Sequence, residues 1–357
     1  MPRQSNFELL RLLAMLGVVI GHVYNYGLHI YEGDGVDYLI AADSVGGMSL
    51  WSVLQLGKLL SLVSVDCYVL LTGYFLLGNR QLRLRGFLRV WATAWIYSVG
   101  LYLLLAAVGQ TSWQWSRLLH YATPLCSNVY WFVTNYLLLL LVAPLLSWAA
   151  DWLGRRGMTS LLVLGFVCVF QPMLGRYTMV GQQMLLFVYL FLVGGYVRRY
   201  GLGGSLSRRW LILAFVLLLG LMLAVSLYKS HAANAAAWAI QGMANNGLVL
   251  PLSVVTFLLF SRLSVPIRYQ RVVCALAPLS FAVYLIHEHP CIHAWMWPRL
   301  TALLSGVNPW LHPLLVLVVS LGVFLVGIVV DGVRRWLSQK LLPGGMFSDV
   351  VRCRIAR

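Results

Sequence analysis

Residues 7–28 read FELLRLLAMLGVVIGHVYNYGL. As an α-helix rising 1.5 Å per residue, a stretch of this length crosses the roughly 30 Å hydrocarbon layer of a bilayer. Lipid offers the backbone no hydrogen bonds, so a helix is the form such a segment must take. Glu8 and Arg11 interrupt its start and no small-residue cleavage site follows, so the segment is read as a retained span rather than a removed signal peptide. It carries Glu8, Arg11 and His22 into the apolar region, where a charged side chain costs about 2.5 kcal/mol or more near the centre and therefore needs a partner or a purpose.

Outward from this stretch, apolar segments recur almost to the end of the chain. They run approximately over Phe7–Leu28, Val53–Leu77, Phe87–Val108, Tyr130–Ala149, Ser160–Gly175, Gln183–Val197, Trp210–Tyr228, Gly247–Ser261, Val272–His289 and Trp310–Val333. The fifth, sixth and eighth are short and are expected to be tilted or broken. Of 357 residues, 61% are hydrophobic and 10% charged, against about a quarter charged in an ordinary soluble domain. No polar stretch is long enough to fold by itself. The sequence thus predicts an all-α integral membrane protein of about ten transmembrane helices, a single polytopic domain over residues 1–340 with a short basic tail over 341–357. The six cysteines show no CxxC pair and no metal-ligand spacing, and Cys67, Cys168 and Cys274, inside apolar runs, are expected as buried thiols.

Orientation follows from charge, because Lys and Arg accumulate in short cytoplasmic loops. With the loops assigned alternately, twenty of the 26 Lys and Arg fall on one side and five on the other, Lys58 among the five, while Arg11 lies within the first span. Both termini are therefore expected in the cytoplasm. The formal charge of +16 is this bias plus attraction to anionic membrane lipid, and no nucleic-acid motif accompanies it. Nucleic acid is accordingly not an expected partner.

The opposite side is acidic and histidine-rich. Glu32, Asp34, Asp37 and Asp43 fill its first loop, and His29, His120, His231, His293 and His312 fall at or beyond its boundary. Trp113, Trp115, Trp295, Trp297 and Trp310 read as interfacial anchors.

Within the first span, Glu8, Arg11 and His22 share one stripe, since eleven residues turn a helix through three revolutions plus about twenty degrees. Arg11 and His22 are then separated by roughly 16 Å along the axis. His22 alone reads equally as a core histidine bonded to a carbonyl. Asp66 and His287, at comparable depth in the second and ninth spans, favour a titrating site in which a carboxylate fixes the imidazole tautomer. Asp66 is equally a partner for Arg11, and spacing does not choose between the two. In the loop after the second span, Arg80, Arg83, Arg85 and Arg89 put four guanidinium groups within ten residues. They suit either lipid headgroups or the phosphates of a nucleotide-like cofactor.

Five strings resemble the membrane-bound acyltransferase-three family, in the family's order. They are NFELLRLLAMLGVVIGH from Asn6, VDCYVLLTGYF from Val65, NVYWFVTNYLLLLLVAPLL from Asn128, LFLVGGYVRRYG from Leu190 and SFAVYLIHEHP from Ser280. The chain is similar to the bacterial members that act on surface polysaccharides, except that Cys67 replaces an aromatic and Thr72 a serine. The resemblance implies transfer of an acyl group, usually acetyl, from cytoplasmic acyl-CoA to a hydroxyl of an envelope glycan or lipid-linked sugar, in the cell membrane. It implies His22 as the catalytic base with Asp66 orienting it, and Arg11 with Arg80, Arg83, Arg85 and Arg89 as coenzyme A contacts. Glu8, Tyr74, Trp131, Asn135 and His287 become substrate-facing or structural polar groups. No metal is expected, and a homo-oligomer is compatible with the sequence.

Other classes accommodate intramembrane Arg, Asp and His as well. A secondary transporter or flippase for an envelope precursor would use them as coupling groups, although no paired Gly/Pro-interrupted helices mark corresponding halves. A scaffold without activity has less reason to keep the Glu8, Arg11, His22 and Asp66 set.

Overall fold

The computed structural model describes residues 4–30, 47–174, 182–202, 204, 206–231 and 248–341. Among them the regular structure is helical: α1 Ser5–His22, α2 Gly47–Leu76, α3 Leu84–Ala107, α4 Trp115–Ala122, α5 Trp131–Leu174, α6 Gln182–Tyr200, α7 Arg208–His231, α8 Val249–Ser261, α9 Ile267–Leu276, α10 Ser280–His287, α11 Pro290–Ser305 and α12 His312–Leu341. All ten segments expected from the sequence are helical where described. Among the described residues seven helical stretches, Ile267–His287 counted as one, are long and apolar enough to cross a membrane, and α8 is a shorter apolar helix. The acidic residues Glu32, Asp34, Asp37 and Asp43 and the tail from residue 342 lie outside the described residues.

α1 buries Phe7, Leu10, Ala14, Met15 and Val19, the three-and-four spacing of a single helix face. It continues without interruption into a π-helical turn at Val23–Gly27. Such turns loosen the regular backbone ladder and gather at functional sites. The ninth expected span is likewise not one helix. A 3₁₀ turn at Ala277–Leu279 carrying Pro278 separates α9 from α10, because proline removes a donor and crowds the preceding turn.

The fourth and fifth expected spans form two arms of α5 that meet at Gly154, whose φ of 59° and ψ of −167° only glycine adopts readily. The second arm runs antiparallel to α6: Thr159 Oγ1 lies 2.8 Å from the Tyr196 hydroxyl, and the Tyr189 hydroxyl donates to the Leu162 carbonyl at 3.1 Å. α2 and α6 cross at close range through glycines. A Cβ at Gly73 would collide with the Phe191 carbonyl, and one at Gly194 with that of Leu70.

Two apolar clusters result. One joins α2, α5, α6 and α8 around Leu70, Phe187, Phe191 and Phe257. The other gathers α1, α10 and α12 around Val19, Val283, Leu285 and Val316. Cys67 is a buried free thiol as expected, whereas Cys274, also buried, is disulfide-bonded. That corrects the sequence reading of Cys274 as a buried thiol, since spacing alone gave no sign of a pairing.

Candidate active site

His22 ends α1, and its imidazole meets the end of α10. His22 Nδ1 lies 2.9 Å from His287 Nε2, and His287 Nδ1 lies 2.5 Å from the Val283 carbonyl. A carbonyl only accepts, so His287 carries its proton on Nδ1 and offers a lone pair on Nε2. His22 Nδ1–H donates to that lone pair, which leaves His22 Nε2 unprotonated. The arrangement fixes the tautomer of a base by hydrogen bonding alone.

Glu288, the residue after His287, brings Oε1 to 3.1 Å from His22 Nδ1. That oxygen is buried and off the line of a hydrogen bond, so it makes none. It is placed to stabilise an imidazolium once His22 accepts a proton. The ligand atoms of His22, His287 and Glu288 lie within 4.8 Å of one another and have the donor types of a transition-metal site. A cation there would displace the proton that joins the two imidazoles.

A third charged group reaches this region. Lys58 Nζ donates to the Gly21 carbonyl at 3.1 Å and to Asn25 Oδ1 at 3.0 Å, bracing the entry to the π turn. The charge count had placed Lys58 on the outer side, yet it is buried against α1. Its long stem carries the ammonium of a residue well inside α2 to the backbone of α1.

Two pockets lie near this site, one lined by His22 itself and one separated from it by Tyr26. The first takes in about 390 Å³ of empty space, open solvent included, and is lined by Met15, Val18, His22, Val65, Tyr68, Trp131, Phe132, Phe281 and Tyr284. It follows the α1 stripe from one turn beyond Arg11 to His22. The second, about 780 Å³, is lined by Tyr26, His29, His293, Ala294, Trp297, Pro298, Thr301 and Ala302. Tyr26 stands between them, its ring 5.4 Å from that of His22, 4.5 Å from His293 and 5.3 Å from Trp297. Trp297, expected as an interfacial anchor, is buried against this second pocket, while Trp113, Trp115, Trp295 and Trp310 are exposed.

Of the residues singled out from sequence, the structure brings His22, His287 and Trp131 together. Arg11 pairs with buried Glu8 at 2.7 Å, and its carbonyl accepts from the Tyr68 hydroxyl at 2.9 Å. Asp66 sits elsewhere: its carboxylate accepts from Ser253 Oγ at 2.9 Å in α8. The two partners proposed for Asp66, His22 and Arg11, are held instead by Glu288 and Glu8. Tyr74 belongs to an aromatic group with Phe7, Phe75 and Phe257. Asn135 Nδ2 donates to the Trp131 carbonyl at 2.8 Å, within the turn that presents Trp131.

A family profile described as an acyltransferase domain, acyltransferase-3, matches residues 4–330. The chain belongs to the acyltransferase-3 family. No curated protein and no solved structure gives a match. The multi-pass helical architecture and the family together make it a membrane acyltransferase.

In this acyltransferase the arginine group after α2 is divided. Arg80 makes two hydrogen bonds to Asp151, at 2.9 and 2.7 Å, and Asp151 also pairs with Arg199 at 2.6 Å. Arg80 therefore ties the α2–α3 connection to α5 and α6. Arg83 and Arg85 are exposed, and Arg89 is half-buried in the first turns of α3. Glu288, Lys58, Tyr68 and Tyr284 are the site residues that sequence reasoning missed, whereas Tyr26 lies on the outward extension of the α1 stripe that carries His22. Glu288 and Tyr284 stood in a quoted string, SFAVYLIHEHP, flanking the His287 that was chosen.

Proposed function

We propose that the protein transfers an acyl group, acetyl foremost, from cytoplasmic acyl-CoA to a hydroxyl of an envelope glycan or lipid-linked sugar, with His22 as general base. The observation that carries this reading is the place of His22, tautomer fixed, in the wall of a narrow apolar pocket and one ring, Tyr26, away from a wider pocket rich in aromatic and histidine side chains. In this reading ten spans place both termini in the cytoplasm. The narrow pocket then opens inward along the α1 stripe and suits the pantetheine arm and thioester. The wider pocket opens outward, where Tyr26, His293 and Trp297 offer stacking faces and hydrogen bonds to a sugar.

His22 Nε2 removes the proton of the acceptor hydroxyl as its oxygen attacks the thioester carbonyl carbon. The resulting imidazolium is stabilised by Glu288, which takes the part that the sequence suggested for Asp66. Collapse of the tetrahedral adduct breaks the carbon–sulfur bond, and the departing thiolate takes the proton back from His22. The products are the acyl ester and free coenzyme A. Arg83 and Arg85, exposed at the start of α3, are the phosphate contacts, and Arg11 with Glu8 lies one helical turn before the narrow pocket on α1.

The test is label transfer from radiolabelled acetyl-CoA to a panel of envelope glycans by the purified protein in lipid vesicles. His22→Ala, with folding and coenzyme A binding retained, should lower transfer by about 10²–10⁴-fold. Undiminished transfer by that variant would overturn the assignment. Movement of an intact glycan across the vesicle wall with no ester formed would favour the transporter class instead.

A further inference from the structure

Tyr284 lies in α10, one helical turn before His287. The residue is 5% exposed, and its hydroxyl makes no hydrogen bond. Buried hydroxyls in folded proteins almost always have a partner, and an exception calls for a reason. The surroundings do not force it. Tyr130, its ring 6.0 Å from that of Tyr284, is equally buried, yet its hydroxyl donates to the Leu285 carbonyl at 3.0 Å. The same region of the fold thus satisfies one tyrosine and leaves the other open.

Tyr284 lines the narrow pocket, whose wall it shares with His22. Trp131 and Phe132, the first two residues of α5, line the same pocket. The Thr134 N–H bonds back to the Tyr130 carbonyl at 3.0 Å, so the amides before it precede the helix's own ladder. The positive end of a long helix and an unused O–H donor therefore converge on one small apolar space beside the base.

We propose that the Tyr284 hydroxyl, backed by the first turn of α5, donates the hydrogen bond that stabilises the tetrahedral oxyanion during acyl transfer, an assignment that rests on the transfer reading above. As the acceptor oxygen bonds to the thioester carbon, the carbonyl π pair moves onto oxygen, and that anion is the acceptor Tyr284 lacks in the resting protein. The donor keeps its proton throughout. When the carbon–sulfur bond breaks, the pair returns to re-form the carbonyl, and the acceptor's proton travels by way of His22 to the thiolate. Donors fixed in advance, in a site closed to water, lower the barrier because nothing must reorganise when the charge appears.

Tyr284→Phe removes one oxygen and preserves the packing. It should lower kcat for transfer from acetyl-CoA by about a hundredfold or more, leave the KM for acetyl-CoA within about twofold, and keep or raise the unfolding temperature, since an unsatisfied buried hydroxyl is lost. Tyr130→Phe should do the reverse, lowering the unfolding temperature while leaving turnover close to wild type. Wild-type turnover by Tyr284→Phe in a protein whose transfer depends on His22 would overturn this assignment alone. So would a loss matched by a fall in unfolding temperature, which would mark Tyr284 as structural. A wild-type protein that transfers no label would overturn the transfer reading and this assignment together.

Discussion

A carboxylate oxygen 3.1 Å from His22 Nδ1, buried and without a hydrogen bond of its own, has its full effect only when the imidazole is charged. In the resting protein the His22 proton is shared with His287. Once His22 accepts a second proton, the carboxylate of Glu288 faces a cation in surroundings of low dielectric, where the attraction is far larger than in water. Glu288→Gln keeps the shape and removes the charge. It should reduce kcat by about a hundredfold, within the range of a general-base contribution, with the KM for the acyl donor nearly unchanged in steady-state assays. Asp66→Asn, by contrast, retains an acceptor for Ser253 and should keep turnover within a few-fold of wild type. Equal losses in the two variants would return Asp66 to the site. His22 and His287 were legible in the sequence because a titratable side chain deep in an apolar segment is expensive. Glu288 was not, because HEHP looks like the polar end of a span, and depth along an axis says nothing of which way a neighbouring helix turns. The same limitation left Asp66 open between His22 and Arg11, since depth alone does not choose a partner.

At the scale of elements, the contact between α2 and α6 depends on what is missing from its surface. Gly73 faces the Phe191 carbonyl and Gly194 the Leu70 carbonyl so closely that a methyl group on either would strike backbone. Between helices in lipid there is little hydrophobic gain from association, and close backbone approach through small residues supplies packing in its place. Gly73→Ala should destabilise the protein by more than the usual 1–3 kcal/mol of an overpacked core, because a carbonyl, unlike a side chain, cannot rotate away. Thermal unfolding in detergent checks this. Gly220→Ala in α7, where the added methyl meets nothing within 4 Å, should leave the transition in place. α2 also carries Asp66, Tyr68 and Lys58, so Gly73→Ala should depress activity in step with unfolding. The helices themselves were readable from apolar runs, since every segment chosen proved helical where described. Their joints were less so. Gly154 dividing α5 and Pro278 separating α9 from α10 are a φ value and a missing donor, which do not alter the average hydropathy of a window. The π turn after His22 left no trace in composition at all.

In the proposed reaction the molecule as a whole has to bring a charged acyl donor from the cytoplasmic side to the imidazole that ends α1. The charge asymmetry assigns that side to the loop between α2 and α3, and the structure divides the loop's arginines by what they touch. Arg80 is committed to Asp151, which also holds Arg199, so it clasps three segments together. Arg83 and Arg85 lie exposed at the start of α3, where guanidinium groups can take phosphate oxygens bidentately. A hydrogen bond to a charged group contributes about 1.5–3 kcal/mol, and 1.4 kcal/mol is a factor of ten in affinity. Arg83→Gln/Arg85→Gln should therefore raise the KM for acetyl-CoA by about tenfold or more, with kcat preserved at saturating donor, because the lost contacts are the same in the ground and transition states. The increase should shrink with dephospho-coenzyme A thioesters, which present fewer phosphates, and with rising salt, which screens exposed charges. Arg80→Gln should leave the KM near wild type and lower the unfolding temperature instead. Were the three arginines interchangeable in these assays, the cluster would be reading lipid headgroups, and the donor would have to enter elsewhere along α1.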